Sequence, residues 1–356
     1  MQRYSTRYAS AADRETWDTF VHGQPHANPY LLYGWRDVIH RAYGHATHYL
    51  MLTGREGSVQ GVLPLVHLRH FIFGNRLVSL PFADAGGVLA IDREAEEALL
   101  SAARELCLKA GVGEIELRQE KALASLADSS PAGPHAPAAV RKVRMLITLP
   151  ESAEALRKAL KSKLRNQINR PLREGCTCRI GAVDLLEDFY KVFLINMRDL
   201  GSPVHSKELM RHVLEAFPER SRIFVVYHAG RPIAASLVIG FNGVLRNPWA
   251  SSDRRYAAMS PNMLLYSRML EYACDNGYQA FDFGRSTPGE GTYKFKEQWG
   301  AQPAPLHWYV VPADGSTTAA QESPSAGFKL AARLWSKLPV PLTRVLGPRI
   351  RKHISL

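Results

Sequence analysis

The 356-residue sequence is poor in cysteine, and its four cysteines form no pattern that would bind a metal or build a disulfide framework. None of them belongs to a CxxC pair, and no histidine cluster of zinc spacing accompanies them. Cys176 and Cys178 form a CxC after Gly175, which equally suits small residues that enter a strand. We therefore expect reduced thiols, no metal site and a cytoplasmic protein.

Long apolar runs are lacking too. The first residues carry charges of both signs and include no apolar segment of signal-peptide length. The longest charge-free run, residues 232–245, has 14 residues, whereas a membrane-spanning helix needs about 20. The sequence thus predicts no signal peptide and no transmembrane helix. At most it predicts a peripheral position on the inner face of the cytoplasmic membrane.

Acidic residues are missing from the last 30 positions. This segment holds seven lysines and arginines, in a chain whose net charge is +12. Its apolar side chains are interleaved with Lys329, Arg333 and Lys337, which recur every four residues before Pro339 and Pro341 end the helix. Two interpretations stay open. Residues 327–356 form an interfacial anchor attracted to anionic lipid, or they form a C-terminal helix docked on the body of the protein.

The hydrophobic residues, 46% of the chain, are sufficient for two domains of ordinary size. The second half shows a clear pattern of helices and strands. It predicts helices near 151–170, 184–199 and 261–276, and strands near 222–228, 232–241, 244–250, 279–284 and 306–311.

The first half follows the same order, with a hairpin over 48–68, a strand near 76–81, a helix near 94–110 and a strand at 114–118. In both halves a helix is followed by a glycine and then by an alternating strand, so we predict an internal repeat of one α/β unit. The fold class is therefore α/β (α+β). We place an N-terminal domain at 1–148, a C-terminal domain at 149–313, and a linker with a basic tail at 314–356.

Residues 281–301, FDFGRSTPGEGTYKFKEQWGA, are the most informative segment. A strand ends at Gly284, and the proline and glycines that follow give the next turn an unusual backbone. Cationic and aromatic side chains alternate beyond it: Arg285, Tyr293, Lys294, Phe295, Lys296 and Trp299. We interpret the segment as the floor of an active site for an anionic, partly planar ligand. The alternative is a surface turn with solvated lysines and with aromatics packed on the sheet.

A basic helix is predicted near the start of the second domain. Its apolar residues form one stripe, and Lys158, Lys161 and Arg165 cluster on the opposite side. Pro171 is expected to kink or end this helix. The basic side is either a binding surface or a solvated face.

The turn at 254–261 contains no glycine. Acyl-CoA enzymes built on such a repeated α/β unit often rest the pyrophosphate on a glycine-rich turn at a helix N-terminus. Here Ser260 is predicted as the N-cap and Pro261 as the first helical residue, a pattern that starts a helix without cradling pyrophosphate. Acetyl-CoA is therefore the weaker candidate donor, and other acyl carriers stay open.

Three segments resemble one protein family. SPNMLLYSRMLEYACDNGYQAFDFGRS resembles the terminal helix and strand of its GNAT domain, GTYKFKEQWGA its G-x-Y-x-F-K-x-x-(F/W)-G signature, and SKLRNQINRPLREG its basic helix. NPYLLYGWRDVI is a looser match to its N-terminal helix. On these segments the chain resembles the FemAB-like branch of the GNAT superfamily. More narrowly, it resembles the FemAB-related proteins of the PEP-CTERM/exosortase exopolysaccharide systems, over roughly residues 20–312.

The resemblance implies two tandem GNAT-like domains with a cleft between them, each a mixed, mostly antiparallel sheet flanked by helices. It implies transfer of an acyl or aminoacyl group to an amine of a cell-wall or exopolysaccharide precursor. Lys296 matches the motif lysine beside the reactive end of the aminoacyl donor, and Arg165 matches the arginine that contacts an anionic nucleotide-sugar acceptor. The remaining residues expected to bind substrate are Lys161, Arg285, Lys294, Trp299 and Trp35.

The hypothesis for the mechanism is direct attack of a neutral amine on an activated ester or thioester. Lys296 would stabilise the oxyanion or an adjacent phosphate. Asp282 or Tyr293 would accept a proton, although Asp282 could instead point outward and pair with Arg285. We expect no bound cofactor, and a donor that is either aminoacyl-tRNA, a transient partner, or acyl-CoA. The alternatives are an acyl-CoA-dependent N- or O-acyltransferase of exopolysaccharide biosynthesis and a non-catalytic glycan-binding or assembly factor.

Overall fold

The computed structural model describes residues 3–129, 142–314 and 326–355. The chain divides into two compact units. Unit 1 comprises Met1–Lys142, Pro305–Gln321 and His353–Leu356, and unit 2 comprises Val143–Ala304 and Glu322–Lys352.

Strands and helices alternate along both halves. In the described residues the strands are β1 (Ser5–Tyr8), β2 (Ala46–Thr53), β3 (Val59–His70), β4 (Gly74–Val78), β5 (Leu89–Ala90), β6 (Glu114–Gln119), β7 (Val143–Thr148), β8 (Thr177–Gly181), β9 (Ser221–His228), β10 (Arg231–Phe241), β11 (Val244–Ser252), β12 (Ala280–Ser286), β13 (Gln302–Pro305) and β14 (His307–Pro312). The α-helices are α1 (Arg14–Gly23), α2 (Trp35–Tyr43), α3 (Arg93–Ala110), α4 (Ala153–Ala159), α5 (Ser162–Arg173), α6 (Leu186–Asp199), α7 (Lys207–Ala216), α8 (Pro261–Asp275), α9 (Gly291–Glu297), α10 (Ala326–Trp335) and α11 (Val340–Arg351).

The sheet of unit 1 has the order β1-β2-β3-β4-β6-β14, with β5 paired to β3. Its pairs are antiparallel except for β4 and β6, which are parallel. Helix α3 connects to β6 and packs on the sheet. The Asp92 side chain caps its first turn by accepting from the Ala95 amide, and Gly111 ends it in the left-handed conformation. The core under α3 is built from Leu, Val and Ala side chains of the helix and the sheet.

The sheet of unit 2 has the order β13-β7-β12-β11-β10-β9-β8. Here β11 and β12 are parallel, and the neighbouring pairs β7–β12, β10–β11, β9–β10 and β8–β9 are antiparallel. Helix α8 makes the connection from β11 to β12 and shares one core with the sheet and with α4 and α5. Helix α6 lies against β9, β10 and β11.

The predicted internal repeat is confirmed. In unit 1 the chain runs β2-β3-β4-β5-α3-β6, and in unit 2 it runs β9-β10-β11-α8-β12. Apart from the two-residue strand β5, the order is the same, and in both units the strand after the helix pairs in parallel with the last long strand before it. Parallel strands need such a crossover connection, which a hairpin cannot provide. The architecture is two tandem GNAT-like units, each a mixed, mostly antiparallel sheet flanked by helices.

The predicted domain limits need correction at both ends. Strand β7, expected in the N-terminal domain, pairs with β12 in the sheet of unit 2. Strand β14, expected in the C-terminal domain, pairs with β6 in the sheet of unit 1. Limits at 148 and 313 follow the order of elements along the chain, whereas these closing strands pair with partners far away in sequence.

The predicted helix over 151–170 is two helices, because Leu160 adopts an extended conformation between α4 and α5. Arg165 Nη1 donates to the Leu160 carbonyl oxygen, 2.8 Å away, at the break. Pro171 neither kinks nor ends α5 at its own position. It lies in the last turn, and the helix ends two residues later at Arg173.

The tail forms two helices, α10 and α11, and Pro341 starts the second one instead of only ending the first. The side chains of Phe328 and Lys329 lie outside the described residues, as do residues 130–141 of the predicted Ala/Pro/Ser-rich excursion. Within the described ranges, the structure contains no helix with the length and apolar character needed to cross a membrane.

Candidate functional site

Strands β11 and β12 pair over only three residues and then part. Their register joins Val244 to Ala280, Leu245 to Phe281 and Arg246 to Asp282. Beyond this point Gly284 has a φ of +76°, and a Cβ added to it would lie 2.9 Å from the carbonyl oxygen of Asn247. Glycine adopts this conformation without penalty. Because it has no Cβ, the backbone at Gly284 can lie close to the Asn247 carbonyl oxygen although the two strands are no longer paired there. The irregular register between β12 and β7 falls at the same place.

Asp282 is buried just before this parting, with 3% of its surface exposed. Its Oδ2 lies 3.0 Å from Arg246 Nη1 and 3.4 Å from Arg144 Nη1, and its Oδ1 accepts from the Gly284 amide. The alternative in which the Asp282 side chain points outward and pairs with Arg285 is therefore wrong, because two arginines from the neighbouring strands face its carboxylate. This arrangement fixes the end of β12.

Lys296 is also buried, although it belongs to a short helix that the sequence presents as part of a turn. Its Nζ donates to the carbonyl oxygens of Gly284 and Arg285, each 2.9 Å away. Helix α9 forms because the chain turns back at Thr287, whose carbonyl accepts from the Glu290 amide. The lysine ammonium thus ties α9 to the backbone at the end of β12.

Tyr266 of α8 lies at the centre of the side chains around the parting. Phe283 stacks on its ring at 5.5 Å, and Phe295 meets it edge-on at 5.0 Å. Trp299 lies 6.4 Å from it. Burial raises the pKa of Tyr266 to about 12, so its hydroxyl stays protonated at neutral pH.

Three buried polar atoms in this region have no hydrogen-bond partner within the described parts of the chain. They are Asn247 Nδ2 on β11, Ser286 Oγ on β12 and Trp299 Nε1 after α9. The other side of the Asn247 amide is engaged, since its Oδ1 accepts from Ser236 Oγ at 2.6 Å. Buried polar groups in proteins are nearly always paired, so a cluster of unpaired donors indicates a place where a ligand supplies the partner.

The other predicted residues of the segment differ in exposure. Tyr293 is half-buried and packs on the core of unit 2. Arg285 is half-buried too, and Lys294 is exposed. The structure therefore brings Asp282, Lys296 and Trp299 to the end of β12 and leaves Lys294 at the surface.

Arg165 and Lys161 lie elsewhere in unit 2, on α5, with both side chains exposed. Trp35 lies in unit 1 and is buried, with its Nε1 donating to the Pro29 carbonyl oxygen and its ring against Tyr30. The expectation that Trp35 binds substrate is not supported, since its donor and its surface are used inside unit 1.

The turn before α8 is a 3-10 helix, Arg254–Met259. Asp253 caps it by accepting from the Arg255 amide. Ser260 adopts the left-handed conformation, and its side chain makes no cap hydrogen bond to α8, in contrast to its predicted role. Helix α8 still begins at Pro261, as predicted.

Sequence reasoning missed Arg246, Asn247, Arg144 and Tyr266. A signal existed for the first two, because adjacent polar residues inside an apolar strand cannot both point to solvent. Arg144 and Tyr266 gave no comparable signal, since their positions depend on which strand and helix pack beside β12.

A search of protein families matches residues 158–297 to the model of the acetyltransferase (GNAT) domain. The curated proteins give no match to this chain. The matched segment spans α5 to α9 and therefore includes both sides of the parting.

Solved structures show the same fold over most of the chain. FemX matches with a TM-score of 0.63 at 14% identity, over 85% of this chain and 95% of that chain. A tandem GNAT protein from the clavulanic acid biosynthesis pathway matches with a TM-score of 0.55 at 14% identity, over 88% and 99%. The C-terminal domain of a putative lysylphosphatidylglycerol synthetase from Agrobacterium fabrum matches with a TM-score of 0.55 at 13% identity, over 92% and 96%. The predicted resemblance to the GNAT superfamily is confirmed for residues 158–297 by the family model, and the fold of FemX is shared over most of the chain.

Proposed function

We propose that this chain, which has a GNAT acetyltransferase domain at residues 158–297 and shares the fold of FemX, transfers an activated acyl or aminoacyl group to an amine of a cell-wall or exopolysaccharide precursor. The domain family supports acyl transfer in general. The nature of the acceptor and of the donor is our proposal, and it rests on the residues of unit 2.

The observation that carries the proposal is that Asn247 Nδ2 and Trp299 Nε1, in the region where β11 and β12 part, are buried and have no hydrogen-bond partner among the described residues. Both atoms are hydrogen-bond donors. An acyl carbonyl needs such donors when its oxygen becomes negatively charged during attack by an amine. Buried donors that are already in place require no reorganisation at that moment, which is why they suit acyl transfer.

In the proposed reaction a neutral amine attacks the carbonyl carbon, a C–N bond forms, and the C–O or C–S bond to the carrier breaks. The proton that the amine loses passes to the leaving oxygen or sulfur of the carrier. Tyr293 is the proposed relay: its hydroxyl gives its own proton to the leaving group and takes the proton of the amine. Asp282 is better suited to positioning than to accepting this proton, because two arginines and a backbone amide already face its carboxylate. Lys296 holds the end of β12 through two carbonyls, and so sets where the donors of the parting lie.

The exposed cations support an anionic substrate. Arg165 and Lys161 lie together at the start of α5, and Lys294 is exposed on α9. Cations on exposed helix ends attract phosphate or carboxylate groups from solution. We assign Arg165, Lys161, Arg285 and Lys294 to binding the anionic part of the acceptor or donor.

An aminoacyl ester carried by tRNA is the proposed donor. The 3-10 helix at Arg254–Met259 contains no glycine, and the Asp253 carboxylate pairs with Arg255 beside it. A turn without glycine does not bring its backbone amides close to a pyrophosphate in the way that a glycine-rich turn does. This observation disfavours acyl-CoA.

Transfer assays with labelled donors test the proposal. The full chain is incubated with cell-wall and exopolysaccharide precursor extracts and with either a charged tRNA mixture or acyl-CoA, and labelled product is identified by mass spectrometry. Transfer from tRNA is expected. Asn247→Ala should lower its rate about 10²- to 10³-fold, the usual effect of removing one donor to an oxyanion. Lys158→Ala, on the exposed side of α4, is the matched control and should have no effect.

Full activity of Asn247→Ala would contradict the assignment of the parting. Activity with acyl-CoA alone would support an acyl-CoA-dependent N- or O-acyltransferase instead. Tight binding of a precursor without turnover, with either donor, would support the non-catalytic glycan-binding alternative.

A further inference from the structure

Helix α10 docks on unit 2 through one side only. Ala332 faces Gly201 at the end of α6, so closely that a Cβ added to Gly201 would lie 2.4 Å from the Ala332 carbonyl oxygen. At 100° per residue, Leu330, Arg333 and Leu334 fall within an arc of about 100° on the opposite side, and Lys337 is exposed in the turn that follows the helix. Leu330 is 58% exposed and Leu334 is 60% exposed. The outward side of α10 therefore presents two leucines next to two cations.

Helix α11 is arranged in the same way. Thr343, Gly347 and Arg351 are buried on one side, and a Cβ at Gly347 would lie 2.9 Å from a methyl carbon of Val204. On the other side Leu342 is 42% exposed and Val345 is 53% exposed. Arg349, also exposed, follows Val345 by one turn and lies on the same outward side.

A groove of about 510 Å³ lies between α6 and α11. Its lining is apolar apart from two cations and consists of Lys191, Leu194, Ile195, Val340, Pro341, Arg344 and Val345. The outward sides of α10 and α11 and this groove are called the tail surface below. Residues 326–356 contribute no acid to it.

We propose that the tail surface docks on an anionic phospholipid bilayer. Exposed leucines beside cations are typical of helices that lie in the membrane interface, where the apolar side chains enter the acyl boundary and the cations face anionic headgroups. The buried sides of α10 and α11 keep the tail folded on unit 2. The two sequence-based interpretations are therefore compatible, because docked helices can still contact lipid with their exposed sides.

Charge favours a bilayer over a second copy of this chain. A twofold dimer through the tail surface would bring Arg333, Lys337 and Arg349 of one copy close to cations of the other. Like charges in an interface are unfavourable. An anionic membrane instead supplies the opposite charge at the same depth as the exposed cations.

Vesicle flotation tests the proposal on the full chain. Vesicles of phosphatidylcholine alone are compared with vesicles of equal parts phosphatidylcholine and phosphatidylglycerol, at low and at high salt. Binding is expected to the anionic vesicles only, and to weaken at high salt because ions screen the attraction. Replacing Arg333 and Lys337 by serine should weaken binding about fivefold for each charge. Replacing Leu330 and Leu334 by serine should weaken it about tenfold or more in total.

The controls are matched in exposure. Leu108→Ser removes a leucine that is 68% exposed on α3, and Lys158→Ser removes an exposed cation on α4. Both variants should bind like the original chain. The melting temperature of each variant shows whether it is folded. We expect it to equal that of the original chain, because the replaced side chains are exposed.

Three results would overturn the proposal: no flotation with anionic vesicles, equal flotation with neutral vesicles, or flotation that the tail variants do not weaken. A concentration-dependent dimer that disappears in the leucine variant would assign the surface to a second copy instead. None of these readouts depends on transfer activity, so the proposed function is tested separately.

Discussion

Gly284 is the residue on which the shape of the candidate site depends. It combines a left-handed conformation with a close approach to the Asn247 carbonyl oxygen. Gly284→Ala should therefore carry two penalties. The first is roughly 1–2 kcal/mol of unfolding free energy for an L-residue in this conformation. The second is a displacement of β12 from β11 that lowers the transfer rate at least about tenfold, since a shift of about 1 Å at a site has large kinetic effects.

Gly277→Ala is the matched control. Gly277 has a φ of +75°, but nothing lies within 4 Å of its added Cβ. Urea unfolding should show a similar conformational cost for both variants, and transfer assays should show a loss only for Gly284→Ala. Equal activity of the two variants would mean that the approach to Asn247 does not shape the site.

At this scale the sequence identifies residue types better than their roles. Lys296 and Asp282 stand out by pattern. Asp282 lies near the end of β12, and Lys296 on α9 binds to the backbone there. Their partners could not be predicted, because the Lys296 ammonium binds carbonyls 11 and 12 residues away. The partners of Asp282 come from two other strands, so a local pairing with Arg285 was the natural expectation and was wrong.

Among the elements, α11 has an attachment that depends on pH. Arg351 Nε donates to His205 Nε2 at 3.1 Å, so the imidazole is neutral with an acceptor nitrogen there. Burial, and then the charge of Arg351, hold the pKa of His205 well below 6.5. Below about pH 6.5 the unfolded chain binds a proton that the folded chain does not. The free energy of unfolding therefore decreases as the pH is lowered through this range, and at higher pH it does not depend on this group.

When the pH is lowered from 7 to 5.5, we expect the free energy of unfolding to decrease, with a slope that approaches about 1.4 kcal/mol per pH unit for one such group. His205→Gln should show a smaller slope, because the titrating group is gone. His26→Gln, which replaces an exposed histidine of unit 1, should keep the original slope. Urea unfolding at a series of pH values measures all three chains, and an unchanged slope for His205→Gln would contradict the assignment.

Elements with a strong local pattern were predicted closely. Helix α8 and strands β6, β10 and β12 begin within one residue of their predicted positions. Helix α9 was missed because its turn-rich start resembles a loop and its length is only seven residues. The break between α4 and α5 was missed because Leu160 continues the apolar stripe and nothing in its type marks an extended conformation.

For the whole molecule, the consequential feature is that unit 1 combines its N-terminal segment with distant parts of the chain. Strand β14 pairs with β6 along its whole length, and the Leu306 amide donates to the Lys142 carbonyl oxygen. A fragment of residues 1–142 lacks this strand and leaves β6 unpaired on one side, so we expect it to unfold without a cooperative transition or to aggregate. Adding residues 305–314 after Lys142 through a short Gly/Ser linker should restore a cooperative transition.

Circular dichroism during urea unfolding checks this expectation. The two fragments share every residue up to Lys142, so a difference between them reports on β14 alone. If residues 1–142 unfold cooperatively at the same urea concentration as the longer fragment, β14 is dispensable for unit 1.

The sequence revealed the repeat but not this exchange. The repeat is local, since each copy runs continuously through two strands, a helix and a strand. The positions of β7 and β14 depend on which sheet edge is free to pair, a property of the folded units with no mark in the periodicity of either segment. The predicted domain limits at 148 and 313 therefore each lie one strand too far along the chain.

The placement of β14 also affects how the protein is made. Strand β6 is complete at Gln119, and its partner begins at His307. At about 5–20 residues per second, synthesis of the roughly 190 residues between them takes on the order of 10–40 s. During this time the first unit to leave the ribosome waits with an unpaired strand edge, while the strands of the unit 2 sheet are all made. The nascent chain is therefore expected to complete its two sheets in the reverse of their order in the sequence.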